Sequence, residues 1–473
     1  QDAMSHSIDT HAQPTGMRLH PTLVMVWVLL AAALLTHLIP AGQFKHAGKL
    51  VVPGSYHAVD KISGPEALFA PSPPSSKDKP AHAASLVSLV SVIPAGLIKT
   101  APLIFMVMCV GGMFAVMRAT GAIDAGIDRL LHATAGNLYV LTPVLMLTIA
   151  LGSTFLGFIS EYLVIIPIML VIAQRMGLPN LFAMAVVGVA AKVGYVASVT
   201  NPVALGVAQP LAGLPVFSGM GPRLGVFVLF LSVGIAFVLL YLRRVAPRDV
   251  KDKAEHLPAA RLTPRQTAVL LCLLAGCVAL VIGAQVWDWG NPQLAAFYIA
   301  LTLLIAAVGG LTPARTADLF VEGMKSMMLA GLLIGLAAAV EIMLRDSQVL
   351  DTIIASATSL AAGHAAPVVA NALMVIEMAL DVAIPSVSGK ATLSIPILAP
   401  IAQASGLGGQ TLIIAFLMGS GLMNMITPTS GMLLAYLATS KVGYGEWVRF
   451  IAPLLAILLL LATAVLALAS VRL

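Results

Sequence analysis

Apolar residues run with little interruption over 21–41, 100–119, 222–242, 266–286, 292–310, 327–344 and 450–470. Each run approaches the roughly 20 residues that a helix needs to cross a bilayer. Two stretches, 118–134 and 312–326, instead alternate apolar and polar positions with helical spacing, which predicts helices lying along a membrane surface. The segment 42–85, with "APSPPSSKDKPAHAA", has no apolar periodicity and reads as a hydrophilic loop. The charged segment 243–265 reads as a linker that divides the chain into halves, 21–242 and 266–473. Residues 1–20 read as a tag remnant and a polar tail with Met4 as initiator. No small-residue cleavage site follows the apolar stretch Thr22–Leu38, so it reads as a retained first span.

Composition agrees with a membrane solvent: 59% of the 473 residues are hydrophobic and 10% are charged, against about 25% charged in soluble domains. The net charge of +6 is scattered over loops, which argues against nucleic acid as a partner. Cys109, Cys272 and Cys277 sit in apolar runs without metal-ligand spacing, and no HxxxH or HExxH pair occurs. The linker carries Arg243, Arg244, Arg248, Lys251, Lys253, Arg261 and Arg265, whereas "WDWGNPQ" carries no lysine or arginine, so the linker is expected on the cytoplasmic side. Walking back from it places the N-terminus in the cytoplasm as well. Two spans precede the irregular region of the first half and three separate the linker from that of the second, so the two regions enter from opposite faces.

Those irregular regions rhyme. The first reads "GSTFLGFISEYLVIIPIMLVIA" and then "GYVASVTNPVALGVAQP"; the second reads "DVAIPSVSGKATLSIPILAPIA" and then "GLMNMITPTSGMLLAYLA". Matching Ile-Pro-Ile at 166–168 with 395–397 sets Glu161 opposite Lys390, and matching Gly194 with Gly421 sets Thr200 opposite Thr427. Two matches in one order argue for a duplicated unit. A duplicated unit of opposite topology is the mark of an inverted-repeat secondary transporter. The expected fold is an all-α polytopic membrane protein. Each repeat holds a re-entrant hairpin (about 138–176 and 366–404) and a broken helix (about 181–213 and 409–440).

Ionisable residues at membrane depth are costly and mark function by default, which singles out Glu161, Lys192, Glu377, Asp381 and Lys390. The bland alternative is a structural ion pair, for instance Glu161 with Lys390 or Lys192. Ser386, Ser388 and Gly389 lie at the second hairpin tip, and Ser198, Thr200, Asn201, Asn424, Thr427, Thr429 and Ser430 at the helix breaks. Unwound carbonyls beside Pro202 and Pro428, with the oxygens of Thr200, Asn201, Thr427 and Thr429, would suit a sodium ion. Lys99, Arg223, Arg345 and Asp346 lie near span ends, where snorkelling is the easier account.

The stretches "GYVASVTNPVALGVAQPLAGLP", "FISEYLVIIPIML", "IPSVSGKATLSIPILAPIA" and "MNMITPTSGMLLAYLA" resemble the YfcC-like branch of the DcuC (anaerobic dicarboxylate carrier) family, in the ion-transporter superfamily. The likeness covers nearly all the chain from about Leu19 onward. It implies a homodimer in the bacterial inner membrane, with a transport domain moving elevator-like against a scaffold. The expected function is secondary active transport of a small carboxylate-bearing metabolite, an amino acid or a four-carbon dicarboxylate, coupled to Na⁺ or H⁺ or run as exchange. No resident cofactor is expected, and an ion channel or a cation/proton antiporter of the same superfamily is the alternative. No GxxxxGK[ST] motif or Ser/His or Cys/His constellation occurs, so ATP drive and enzyme chemistry are not expected.

Overall fold

A computed structural model describes residues 21–47, 50–52, 54–69, 80–133, 137–246, 262–287, 289–361 and 363–472. The N-terminal tail and the linker residues Arg248, Lys251, Lys253 and Arg261 lie outside the described residues. In the first half the helices are α1 (Pro21–Leu38), the short α2 (Pro65–Phe69), α3 (Leu86–Ala119), α4 (Ala122–Ala133), α5 (Leu138–Leu151), α6 (Ile165–Arg175), α7 (Asn180–Ala197), α8 (Pro202–Leu211) and α9 (Met220–Val245). In the second they are α10 (Pro264–Val286), α11 (Asn291–Gly309), α12 (Pro313–Ser326), α13 (Met328–Asp346), α14 (Leu350–Ala361), α15 (Ala366–Ala383), α16 (Val387–Ala404), α17 (Gly409–Met423), α18 (Gly431–Ser440) and α19 (Tyr444–Arg472). Among the described residues, eight helices are long and apolar enough to cross a membrane.

Two expectations shift. The loop 42–85 is not wholly irregular: residues 41–82 carry three two-stranded pairs, with Ala41 opposite Val59 in the longest. Lys61 ties this region to the end of α1 by donating to the carbonyls of Thr36 and Ile39, and partial burial lowers the proton affinity of its amine. The span expected to begin at 100 begins at Leu86, because α3 continues through Pro94 and Pro102. Ser85 and Ser88 cap it reciprocally, which fixes the start a full turn or more upstream of each proline.

α3 meets α12 and α13 through small residues, which lets the backbones approach closely. A Cβ on Gly323 would lie 2.3 Å from the Gly111 carbonyl oxygen, and one on Gly96 would lie 2.3 Å from that of Gly335. Across this contact Lys99 and Arg345 both reach the buried Glu341, at 2.8 and 2.6 Å. Both stay substantially exposed, as snorkelling expects, and their heads meet an acid unremarked in the sequence.

The pairing of the other helices repeats between the halves. α5 and α9 pack on α7 as α15 and α19 pack on α17, while α6 packs on α18 as α16 packs on α8. α1 packs on α13 as α11 packs on α3, and α7 and α17 pack on each other. The exception is that α13 runs along α18, whereas α3 makes no comparable contact with α8.

Candidate functional site

The first helix break is built by local chemistry. Ser198 ends α7 in the left-handed region (φ 39°), and Asn201 starts α8 by accepting the N–H groups of Val203 and Ala204 at 3.0 and 3.3 Å, with Pro202 at the first helical position. The broken strand of chain docks on a π turn at Gly152–Leu156: Val199 N–H donates to Thr154 Oγ1 (3.0 Å), and Thr200 Oγ1 donates to the Phe155 carbonyl (3.1 Å). Ser198 Oγ donates to the Tyr195 carbonyl and accepts from Asn201 Nδ2.

The second break is closed in a parallel way. Ser430 caps α18 and donates to Asn424 Oδ1 at 2.6 Å, and the hydroxyls of the buried Thr427 and Thr429 lie 2.8 Å apart. Three other carbonyls at the breaks, not those of Ser198 and Asn424 one turn before Pro202 and Pro428, accept from distant side chains. Arg223 donates to the Val199 carbonyl at 3.1 Å, Trp447 to that of Met425 at 2.8 Å, and Tyr444 to that of Ile426 at 2.6 Å. Arg223 is thus no snorkelling residue: it is 1% exposed and also bonds Ser218 and Gln410.

Between the breaks lies a buried charged network that joins both halves. Lys192, on α7, donates to Asn424 Oδ1 at 2.9 Å, and Asn424 Nδ2 donates to Asp381 Oδ2 at 2.8 Å. The other oxygen of Asp381 meets Lys390 Nζ at 2.6 Å across the hairpin of α15 and α16. Lys390 also donates to Ser420 Oγ (2.5 Å) and faces the Phe416 ring at 5.4 Å. Glu377, one turn before Asp381 on α15, lies 3.9 Å from Lys390 Nζ. Lys192, Glu377, Asp381 and Lys390 are all buried, and their two ammonium and two carboxylate groups balance when every one is ionised.

The structure therefore gathers Lys192, Glu377, Asp381, Lys390, Asn424 and Ser430 into one centre. Ser386 and Ser388 stay exposed at the tip, where Ser386 Oγ accepts the Gly389 N–H at 3.4 Å. Glu161 stands apart and pairs with neither Lys390 nor Lys192. Its carboxylate accepts the Ile159 N–H at 2.9 Å and borders an apolar cavity of about 370 Å³ shared with Tyr162, Leu280 and Leu301. A larger cavity of about 540 Å³ lies between α3 and α12 on one side and α6 and α18 on the other, lined in part by Arg118, Gln174, Glu322 and Lys441. Ser420 is not legible in the sequence as a site residue, and Arg223 reads there only as a span-end charge. Ser420 lies in an apolar helix between Gly419 and Gly421, and Arg223 resembles a flanking charge.

The family model for DcuC, "C4-dicarboxylate anaerobic carrier", matches residues 20–471. The chain is 29% identical over 385 residues to an Escherichia coli K12 protein named "Putative basic amino acid antiporter YfcC", covering 77% of this chain and 76% of that one. It is 27% identical over 386 residues to an uncharacterised protein of Haemophilus influenzae, covering 78% and 76%. Among solved structures it is similar to the YdaH transporter of Alcanivorax borkumensis (TM-score 0.43, 17% identity, 95% of this chain and 98% of that one). It is likewise similar to MtrF of Neisseria gonorrhoeae (TM-score 0.44, 18% identity, 96% and 95%). Both TM-scores are too low to carry a detailed comparison.

Proposed function

The chain belongs to the DcuC family of carriers and is a multi-pass membrane transporter rather than an enzyme; from that premise we propose that it is a secondary active transporter of a small carboxylate-bearing metabolite. The observation that carries this reading is the Lys192–Asn424–Asp381–Lys390 chain of contacts, buried where α7, the second helix break and the second hairpin meet. A balanced set of ammonium and carboxylate groups at membrane depth can exchange internal pairs for pairs with a charged substrate, without stranding a charge in a low dielectric. Amino acids, basic ones included, and four-carbon dicarboxylates both fit that chemistry. The family description favours the second and the name of the Escherichia coli relative favours the first, with exchange as the mode.

Two inverted repeats account for the paired packing of α5–α9 and α15–α19. In this reading those helices form the transport domain, and α1, α3 and α10–α13 form the scaffold. The contact of α13 with α18, unmatched by α3 with α8, fits one of two states in which the domain has shifted toward one side. The protein would work in a bacterial inner membrane with a cytoplasmic N-terminus, as a homodimer whose scaffold presents exposed Leu271, Leu274 and Leu303 to lipid or partner. Ser386 and Ser388 at the exposed tip would meet the substrate first. Sodium coupling through Thr200, Asn201, Thr427 and Thr429 is the second reading, favoured by the close Thr427–Thr429 hydroxyls.

Counterflow in proteoliposomes tests the proposal. Vesicles loaded with unlabelled succinate or arginine should transiently accumulate the labelled form of one of them. Uptake that never overshoots and does not saturate would indicate a channel.

A further inference from the structure

The charged centre contains one group that its neighbours leave unserved. Neither oxygen of Glu377 makes a hydrogen bond of ordinary geometry, although the residue is fully buried. Ser394 Oγ, which faces Glu377, and Tyr195 Oη, which faces Ser420, are buried and likewise make no hydrogen bond of ordinary geometry. Buried polar atoms are ordinarily paired, so a fully buried carboxyl without a donor in ordinary geometry, beside a lysine already committed to Asp381 at 2.6 Å and 3.9 Å from Glu377 itself, is suited to carrying a proton. The helix breaks show the opposite, with donors already placed on the carbonyls of Val199, Met425 and Ile426.

We propose that Glu377 binds the coupling proton, with Ser394 as its positioning partner; this rests on the transporter reading above. Protonation forms one O–H bond on the Glu377 carboxylate, taking H⁺ from water on one side. The new hydroxyl donates to Ser394 Oγ, and the proton leaves to the other side after the site reorients. A proton fits better than a metal cation, because Lys390 Nζ already stands 3.9 Å from Glu377 Oε2 and would repel a second full charge beside it. The surroundings are otherwise sparing of charge. Asp381 shares the helix and is held by Lys390 and Asn424; α16 contributes Lys390, α7 contributes Lys192 and Tyr195, and α17 contributes no titratable side chain. Residues 450–471 of α19 contain none, Asp351 of α14 accepts the Phe44 N–H, and on α13 Glu341 pairs with Lys99 and Arg345, with Asp346 beside them at the helix end.

The charge balance gives the proton a role. With Glu377 ionised, the two ammonium groups match the two carboxylates; with Glu377 neutral, the centre carries one net positive charge and favours an arriving carboxylate. Proton and substrate carboxylate would therefore enter together, which is symport by electrostatics.

Infrared spectroscopy of the purified full-length protein in lipid needs no substrate and reads the carboxyl group directly. A C=O stretch of a protonated carboxylic acid should move on ¹³C-glutamate labelling, vanish in Glu377→Gln, persist in Asp381→Asn, and shift in Ser394→Ala as the hydroxyl loses its acceptor. In proteoliposomes, Glu377→Gln should lose accumulation of succinate or arginine driven by an imposed pH gradient. A band unchanged in Glu377→Gln, no such band at any pH at which the protein stays folded, or gradient-driven accumulation by Glu377→Gln would overturn the proposal. Should Glu377→Gln not fold, the ¹³C shift and the Ser394→Ala shift decide the matter in otherwise intact protein. Wild-type counterflow on the same preparation is the separate test of transport itself.

Discussion

Removing Lys390 tests whether the charged centre is an interlocked unit. Lys390→Ala deletes the ammonium that Asp381 Oδ1 meets at 2.6 Å and that stands 3.9 Å from Glu377. Two fully buried carboxylates then remain near one lysine, Lys192, which reaches Asp381 only through Asn424. Stranding one partner of a buried pair costs about 3–5 kcal/mol, so a marked loss of thermal stability is expected. Neutralising the stranded acid should offset part of it, because the carboxamide of Asp381→Asn removes the unpaired charge at the same position. The double variant is expected to be more stable than Lys390→Ala alone, by about 2 kcal/mol. Thermal unfolding of wild type, both single variants and the double variant in one detergent measures the cycle. Simple additivity, with the double variant worse than either single one, would refute the reasoning.

Other buried contacts carry consequences of their own. Lys99→Ala and Arg345→Ala should each cost no more than about 1 kcal/mol, since both partners are substantially exposed and the other still serves Glu341. The double variant should cost more than their sum, about 3 kcal/mol, by leaving Glu341 alone; the same unfolding assay reads this. Gly157 has φ +75° and its Cβ position lies 2.5 Å from Asn201 Oδ1, so Gly157→Ala should unseat the α8 cap and lower both stability and uptake. Gly206→Ala, with open space around it, should be neutral in the same measurements. Arg223→Met removes the donor on the Val199 carbonyl and should slow counterflow, and Arg223→Lys should restore it only partly because one ammonium cannot span Val199, Ser218 and Gln410.

Much of this architecture is written in local pattern. The "TNP" and "TPT" stretches mark the breaks, where Ser198 in the left-handed region and the caps Asn201 and Ser430 close one helix and open the next; proline alone is no such mark, since α3 continues through Pro94 and Pro102 and α16 through Pro396. Glu377 and Asp381 share a helix face by their spacing of four. Their partners are legible only after folding. Lys390 reaches Asp381 across a turn, Lys192 reaches it through an asparagine 232 positions away, and nothing near Arg223 indicates that a carbonyl at the break needs it. The same holds for Glu341, whose two cations come from a different helix and from the next turn of its own. Glu161 and Lys390 hold matching positions in the two repeats, and equivalence under a pseudo-symmetry does not bring residues into contact. The upstream extension of α3 is set by the Ser85–Ser88 cap, a signal shorter than the proline-rich context that obscures it.

The central claim is that two hairpins enter from opposite faces and converge on one charged site. Accessibility of their tips tests it most directly. In a cysteine-free background in sealed vesicles, Ser388→Cys should react with a membrane-impermeant thiol reagent from the outside and Ser160→Cys from the cytoplasmic side. Succinate or arginine should change both rates. Labelling of both positions from a single face, with and without either compound, would contradict the account.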